Sequence, residues 1–155
     1  MTEILFPTTW NHHRARPLRL ERYPALPVHV ILTTYRRYSL FRDARNAEPV
    51  FRCFAEHERT LALALMPDHL HWLLADASGL PDVMRRVKSF TTREVRRATG
   101  VGRIWQRSYF DAVIRDAALC GRVARYIVEN PVRAGLCGEG RTYPWVFLAP
   151  EMGGG

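Results

Sequence analysis

The sequence predicts an α+β fold, in which an antiparallel sheet is built in the βαββαβ order of ferredoxin-like domains and is followed by an additional C-terminal helix. Three observations carry this prediction. β-Branched residues dominate the first apolar run, His29–Tyr35. Two further apolar runs, Leu61–Met66 and His69–Ala75, flank a Pro-Asp dipeptide as the strands of a hairpin would. Two long segments in the second half of the chain carry apolar residues at helical spacing.

The first half of the chain is predicted to supply a strand, a helix and a hairpin. His29–Tyr35 is the first strand, and Arg36–Asp43 after it is basic and typical of a turn. Glu48–Glu58 is predicted as a short helix because its apolar residues recur at helical spacing. The two strands of the hairpin then follow, with Pro67-Asp68 as the turn between them.

The second half is predicted to supply a helix, a strand and a further helix. The first of these helices covers Pro81–Ala98, since proline suits the first turn of a helix. Ile104–Arg115 contains alternating and aromatic residues and is predicted to hold the last core strand. The final helix is predicted over Ala117–Asn130, because Pro131 cannot continue it.

The chain is expected to divide into three parts. Residues 1–27 contain four prolines and several arginines and are predicted to form an irregular basic arm. Residues 28–136 form one core domain, because 155 residues are too few for two comfortable domains. Residues 137–155 form a C-terminal tail, in which Trp145 and Phe147 are expected to pack back onto the core.

The charge of the chain favours a polyanionic partner. The formal net charge is +8, and of the 23 basic residues only Lys88 is a lysine. The planar guanidinium group of arginine binds phosphate in a bidentate manner, so an arginine-rich surface suits nucleic acid. A coding bias toward arginine would produce the same ratio without any functional meaning. With 47% hydrophobic residues, the chain is typical of a globular protein rather than a disordered tail.

Cysteine usage and hydropathy favour a cytoplasmic protein. The three cysteines are odd in number and contain no CxxC pair, which indicates neither a disulfide framework nor a zinc ribbon. Residues 1–10 lack the basic and apolar regions of a signal peptide. No apolar run approaches the roughly 20 residues that a membrane span needs. We therefore expect cytoplasmic localisation and no membrane partner.

The segment Met66–Trp72 offers a candidate metal site. Side chains alternate between the faces of a strand, so His69 and His71 are predicted to share one face while Leu70 lies on the other. Two imidazoles about 7 Å apart along a strand can close on one metal ion. An HxH pattern alone is weak evidence, and taken by itself it favours ordinary polar positions on a half-exposed strand over metal ligands.

The last predicted helix offers a candidate nucleophile. Tyr126 and Asn130 are four residues apart and therefore share one helical face. A tyrosine hydroxyl is a poor nucleophile until it loses its proton, normally at about pH 10, and a nearby cation favours that loss. Asn130 can present its amide oxygen as a third metal ligand. Alternatively, Tyr126 is a core aromatic residue and Asn130 is simply the end of a helix.

The helix over Pro81–Ala98 carries a one-sided cluster of basic residues. On a helical wheel five arginines fall within about a third of the circumference, and apolar residues occupy another sector. A stripe of one sign favours phosphate contacts over an ordinary solubilising surface, which usually mixes signs. The predicted DNA-binding residues of this helix are Arg85, Arg86, Lys88, Arg93, Arg96 and Arg97.

The run Ile104–Phe110 combines aromatic, arginine and amide side chains. Trp105, Gln106 and Arg107 are predicted to contact DNA, because such groups can stack on unpaired bases and contact their edges. Packing in the core is an equally good interpretation for each aromatic residue taken singly. Tyr109 is the chief rival of Tyr126 as the nucleophile.

Together these segments resemble the REP-associated tyrosine transposases, a branch of the single-tyrosine HUH transposases within the IS200-like family. The resemblance covers about residues 14–145 and rests on four ordered motifs. These are RARPLRLERYPALPVHV at Arg14–Val30, MPDHLHWLL at Met66–Leu74, Trp105-Gln106 followed by Tyr109, and RYIVENPVRAG at Arg125–Gly135.

The resemblance implies a function for residues 28–136, which would be an HUH transposase domain. His69, His71 and Asn130 would hold Mg²⁺ or Mn²⁺, and Tyr126 would cut single-stranded DNA beside a palindromic hairpin and form a 5′-phosphotyrosine. Arg14, Arg16 and Arg19 of the arm would help to bind the DNA. The sequence departs from the family in two places. About a dozen residues before Arg14 have no counterpart in the family, and YPALPVHV replaces a stretch where glycine and tyrosine are more usual. Both departures involve the arm, so they affect the expected hairpin specificity more than the expected catalysis.

Two other functions are compatible with the sequence. One is a domesticated protein that binds the DNA hairpin without cutting it. The other is a basic α+β RNA-binding module, although the predicted strands lack the aromatic run typical of such modules. The sequence does not distinguish a monomer from a homodimer.

Overall fold

A computed structural model of the protein describes residues 24–138 and 142–154. Arg14, Arg16 and Arg19, the predicted DNA contacts of the N-terminal arm, lie outside these residues. Within them the chain forms a five-stranded antiparallel sheet in the order β4-β1-β3-β2-β5, together with three α-helices. The elements are β1 Val28–Thr33, α1 Ala44–Ala55, β2 Thr60–Leu65, β3 His69–Leu74, α2 Leu80–Thr99, β4 Phe110–Val113, α3 Ala117–Arg133 and β5 Val146–Leu148.

The predicted ferredoxin-like topology is confirmed. The first four strands follow the βαββαβ order, and β1 lies between β4 and β3, with β3 as the central strand of the sheet. β2 and β3 pair as the predicted hairpin, with Ala64 opposite His71. α3 is the predicted additional helix after β4.

The predicted bounds of two helices were wrong. α1 begins four residues before Glu48, because the Asp43 side chain accepts a hydrogen bond from the backbone N–H of Arg45 and caps the helix there. α3 continues through Pro131 to Arg133, so the proline lies in the last turn instead of ending the helix. At that position the proline removes a single backbone donor near the C-terminal end, and its own side chain is buried.

The segment Ile104–Arg115 contains β4, as predicted, but β4 is not the last strand of the sheet because β5 follows it. This three-residue strand pairs with the outer edge of β2, where Phe147 lies opposite Leu63. Trp145 packs against Phe51 of α1 with the ring centroids 5.6 Å apart. The prediction that Trp145 and Phe147 return to the core is therefore confirmed, and the tail completes the sheet.

The sheet separates two apolar clusters. α1 and α2 cover one face, where they pack on side chains such as Leu70, Trp72 and Leu74 of β3. α3 covers the opposite face and packs on Ala64 of β2 and Leu73 of β3. The alternation of β3 side chains between these faces places His71 on the α3 side. Of the helices in the described part of the chain, none combines the length and apolar character needed to cross a bilayer.

Candidate active site

His69 and His71 lie on the same face of β3, as the HxH spacing predicted. Their ring centroids are 5.0 Å apart and the rings are nearly perpendicular. In the register of the sheet, His69 lies opposite Thr33 and His71 opposite Ile31 of β1. The pair therefore lies on the central strand, near the end at which β3 begins and on the face that α3 covers.

His71 is buried and is hydrogen-bonded through both ring nitrogens. Its Nε2 lies 3.1 Å from Nδ2 of Asn130, and its Nδ1 lies 3.0 Å from Nε2 of His29. An amide nitrogen can only donate, so in this arrangement Nε2 of His71 accepts and Nδ1 carries the proton that is donated to His29. Burial, followed by the charges of His29 and His69, holds the pKa of His71 well below its usual value. The ring is therefore neutral near pH 7, as a metal-binding imidazole must be.

His29 of β1 is a site residue that the sequence interpretation missed. It is 1% exposed, and its ring stacks on that of His71 with the centroids 5.3 Å apart and the planes 24° apart. Burial lowers the pKa of His29 to about 4, so this imidazole is neutral as well. The only signal in the sequence was a single polar residue in an apolar strand, and its significance depends on the pairing of β1 with β3.

Asp68 orients the other histidine. One carboxylate oxygen, Oδ1, lies 2.7 Å from Nδ1 of His69, and Arg37 approaches the second oxygen at 3.3 Å. The hydrogen bond with His69 is the main cause that lowers the pKa of Asp68, and Arg37 lowers it further. With the proton on Nδ1, His69 presents the lone pair of Nε2. A carboxylate behind a histidine in this way is a common support for metal ligands, although the sequence interpretation assigned Asp68 only to a turn.

α3 brings Tyr126 and Asn130 to the histidine pair. The Tyr126 ring is half-buried and lies edge-on to His71, with the ring centroids 6.1 Å apart. The guanidinium carbon of Arg133 lies 4.5 Å from the centroid of the Tyr126 ring, and Arg133 also pairs with Glu129 at 3.4 Å. A positive charge thus lies beside the candidate nucleophile.

Tyr109, the alternative nucleophile, belongs to the other side of the sheet. It packs against the cluster that α1 and α2 cover, whereas Tyr126 packs against the cluster beneath α3. Since His71 faces α3, this arrangement favours Tyr126 over Tyr109 as the side chain that works with the histidine pair.

The residues present fit a divalent metal ion with a mixed donor set. No group of three or more His, Cys, Asp or Glu side chains is arranged to hold a metal within residues 24–138 and 142–154, so a third protein ligand here would be the Asn130 amide. His29 is engaged with His71 and is not that ligand. The amide oxygen and nitrogen of an asparagine exchange places by rotation of the terminal group, and the oxygen is a donor for Mg²⁺ or Mn²⁺. Two imidazole nitrogens beside it favour Mn²⁺ of the two.

The comparison with known families places the chain in one of them. The family described as IS200-like transposase matches residues 23–130, which is more than half of the chain and includes β1 to β4, both histidines, Tyr126 and Asn130. The chain belongs to the IS200-like transposases.

One solved structure agrees with the fold of this transposase. A REP-associated tyrosine transposase bound to a REP hairpin is 20% identical, with a TM-score of 0.60, over 80% of this chain and 78% of that chain. A candidate transposase from Deinococcus radiodurans R1 is 24% identical, with a TM-score of 0.49, over 68% of this chain and 90% of that chain. No curated protein matches the sequence.

The predicted arginine stripe of the transposase lies on α2, on the side of the sheet away from His71. All five arginines are exposed. Asp82 pairs with Arg85 and Arg86, and Glu94 pairs with Arg97. Arg96 donates to the carbonyl of Gly102, and the guanidinium carbon of Arg93 lies 5.7 Å from the centroid of the Phe90 ring. Asp82 and Glu94 therefore partly neutralise the charges of Arg85, Arg86 and Arg97. The contacts of Arg93 and Arg96 with a ring and a carbonyl leave their charges unneutralised.

Lys88 and Trp105 of the transposase have structural roles. Nζ of Lys88 donates to the carbonyls of Gln106 at 2.8 Å and of Arg107 at 3.1 Å, and so supports the loop before β4. Trp105 is 7% exposed, and its indole N–H donates to the Thr91 hydroxyl at 2.9 Å. This burial favours the packing interpretation of Trp105 over base stacking.

Gln106 is attached to the end of β1 that lies opposite His69, and Arg107 follows it. The backbone N–H of Gln106 donates to the carbonyl of Thr33, which lies opposite His69 in the sheet. Arg107 is exposed at the same end of β1. Both side chains remain predicted DNA contacts of the transposase.

Proposed function

We propose that this transposase cuts and rejoins single-stranded DNA next to a palindromic hairpin, with Tyr126 as the nucleophile and Mg²⁺ or Mn²⁺ as the cofactor. One observation carries the proposal. α3 lies against β3 so that the Asn130 amide is 3.1 Å from Nε2 of His71 and the Tyr126 ring is 6.1 Å from the same imidazole by centroids. A phenol can act as the nucleophile, and two imidazoles with an amide oxygen can hold the metal ion, in a metal-assisted attack on phosphate.

Membership of the IS200-like transposases supports DNA strand transfer as the reaction class. The structurally similar REP-associated tyrosine transposase was solved with a REP hairpin, which supports a hairpin as the DNA form that this chain binds. The exposed arginines of α2 supply a surface for such a stem, since they can neutralise backbone phosphates.

His69, His71 and Asn130 would hold the ion. The chemistry that such an ion would supply is polarisation of the scissile phosphate and withdrawal of charge from it. The chain itself prepares the donor atoms. Asp68 keeps the proton of His69 on Nδ1, and His71 donates its Nδ1 proton to His29, so both Nε2 atoms keep a lone pair, and that of His71 faces Asn130 of α3.

The reaction is a transesterification that conserves the number of phosphoester bonds. The Tyr126 oxygen attacks phosphorus and loses its proton, the bond from phosphorus to the 3′-oxygen breaks, and that oxygen leaves as a 3′-hydroxyl group. The 5′ side of the cut strand is then held as a phosphotyrosine. Attack by a 3′-hydroxyl group from another strand reverses the step and joins the ends without ATP. Arg133 supplies a positive charge beside the tyrosine throughout.

A protein that binds the hairpin without cutting is the second candidate. The Tyr126 ring packs against the apolar cluster beneath α3 and lies under Arg133, which is also how a purely structural tyrosine is held. In that case the same surfaces bind DNA and no covalent complex forms.

A cleavage assay separates the two candidates. A pool of labelled hairpin oligonucleotides with varied stems and single-stranded flanks is incubated with the full chain and Mn²⁺, and products are resolved on denaturing gels. We expect a nicked strand and a protein–DNA adduct with the wild-type chain and with Tyr109→Phe, and neither with Tyr126→Phe or in EDTA. Cleavage that persists in Tyr126→Phe would remove this residue from its role, and tight binding without any adduct would establish the non-cutting protein.

A further inference from the structure

The turn after β1 has a strained backbone built from arginines. Arg36 and Arg37 both have positive φ values, 53° and 55°. Side chains with a Cβ atom rarely adopt this left-handed region, and two consecutive bulky residues there are less common still. Such conformations persist where neighbouring structure fixes them, and they concentrate at binding sites and active sites.

The neighbouring structure fixes this turn from both sides. Thr34 is fully buried, and its backbone N–H donates to the carbonyl of Asp68 at 2.9 Å. Its hydroxyl lies 3.0 Å from the same carbonyl and 2.8 Å from the carbonyl of Tyr38, so a single proton is shared between the two acceptors. The backbone N–H of Tyr35 donates to the carbonyl of Ile104 at 2.7 Å. The turn is therefore anchored to the start of β3 and to the segment before β4.

The anchored turn presents aromatic rings and guanidinium groups to solvent. Tyr38 is 52% exposed. The guanidinium carbon of Arg103 lies 4.5 Å from the centroid of the Tyr35 ring, and that of Arg36 lies 5.2 Å from it. The rings of Tyr35 and Tyr38 meet edge to face with the centroids 6.4 Å apart. Aromatic rings that stack on bases, together with arginines that neutralise phosphates, are the pairing found on surfaces that bind unpaired nucleic acid.

The position of the turn connects it to the histidine pair. Arg37 pairs with Asp68 at 3.3 Å, and Asp68 binds His69 at 2.7 Å. A DNA strand bound across the turn would therefore be separated from the predicted metal ligand His69 only by the side chains of Arg37 and Asp68. The stripe on α2 has no such connection, since it lies on the opposite side of the sheet.

We propose that Tyr35, Arg36, Tyr38 and Arg103 form a binding surface for the unpaired DNA strand that leads to the cleaved phosphate. This inference rests on the proposed function. It gives the protein a second DNA-binding surface, separate from the arginines of α2 that would hold the stem of the hairpin. Tyr38 stacks on a base, Arg36 and Arg103 contact the backbone on either side of it, and the strained backbone keeps these groups exposed in a fixed arrangement.

Fluorescence anisotropy in EDTA tests the surface without any catalysis. The probes are a labelled single-stranded DNA of mixed sequence, an RNA of the same sequence and a blunt DNA hairpin. The variants are Tyr38→Ala and Arg36→Gly, of which the second removes the charge and also relieves the positive φ, so that it keeps the fold. Arg52→Ala, an exposed arginine of α1, is the matched control.

We expect each of the two variants to weaken single-stranded DNA binding by about tenfold, in the range of one lost stacking or phosphate contact. Binding of the blunt hairpin should change less than twofold, and Arg52→Ala should resemble the wild-type chain. Unchanged single-stranded binding in both variants would overturn the inference, and tighter binding of RNA through the same residues would overturn its assignment to DNA. If the wild-type chain forms no adduct but shows this pattern, the proposed catalysis fails and the surface stands. If cleavage is normal and the variants bind like the wild-type chain, the surface alone fails.

Discussion

Nε2 of His29 lies 3.0 Å from Nδ1 of His71, and the two rings stack almost in parallel. With the contact from His71 to Asn130, this pair forms a chain of hydrogen bonds from β1 through β3 to α3. His29 is 1% exposed and cannot reach a substrate, so its role is to fix the orientation and tautomer of His71. The candidate site thus depends on a residue that takes no part in the chemistry.

Replacing His29 should change metal affinity according to whether the new side chain can accept a hydrogen bond from Nδ1 of His71. In His29→Leu nothing accepts the Nδ1 proton of His71, so we expect the Kd for Mn²⁺ to rise by about 10- to 100-fold. In His29→Gln the amide oxygen can accept it, and most of the affinity should remain. Isothermal titration with Mn²⁺ measures both, and thermal unfolding confirms that each variant is folded. Equal Mn²⁺ affinity in a folded His29→Leu would contradict the positioning role.

Substitutions of Asn130 should move metal affinity in opposite directions. Asn130→Ala removes one of three proposed protein ligands and should weaken Mn²⁺ binding, whereas Asn130→Asp supplies a charged oxygen and should strengthen it. Glu129→Gln, at the neighbouring exposed position, is the control and should have no effect. The same Mn²⁺ titration is the measurement, and a response of the same sign in both Asn130 variants would exclude the amide as a ligand.

Charge reversal on α2 should weaken binding of the hairpin stem and leave binding of unpaired DNA unchanged. Arg93 and Arg96 contact an aromatic ring and a carbonyl, so their charges are available to phosphate. If each binds one phosphate, Arg93→Glu with Arg96→Glu should weaken hairpin binding and lower the slope of log K against log salt by about 2.

The control reverses Arg45 and Arg52 on α1, which gives the same change in net charge at another place. Anisotropy titrations at several salt concentrations give the slopes. Hairpin affinity that falls equally in both double variants would indicate a general effect of charge, and unchanged affinity would assign the stripe to solubility.

Trp105 should contribute to stability rather than to DNA binding. Trp105→Phe leaves a cavity and removes the hydrogen bond to Thr91, which together should lower the free energy of unfolding by about 1–3 kcal/mol. Urea denaturation measures this loss. The affinity of the folded variant for single-stranded DNA should match that of the wild-type chain, and a clear loss of affinity would restore the base-stacking role that the sequence suggested.

The parts of the fold that the sequence predicted are those set by local pattern. The hairpin of β2 and β3, the helix α2 and the shared face of His69 and His71 follow from periodicities of two and 3.6 residues. β5 was missed because three residues carry too little pattern, and it exists only because the edge of β2 is there to pair with it. The extension of α3 past Pro131 was missed because packing outweighed a local preference.

The residues of the candidate site likewise divide into those that local pattern predicts and those that depend on tertiary structure. Tyr126 and Asn130 were identified because helical spacing and a family motif both point to them. His29 and Asp68 were not, because their significance arises only when strands distant in sequence are brought into register. The burial of Trp105 is likewise a tertiary property, which an aromatic run alone does not reveal.

The placement of α2 and α3 on opposite faces of one sheet restricts the shape of any ligand that touches both. Double-stranded DNA has a persistence length of about 50 nm, so bending a short duplex around the end of a small domain costs free energy. An unpaired strand turns such a corner easily. A junction between a stiff and a pliable segment is therefore the form of DNA that can contact both faces without this bending cost.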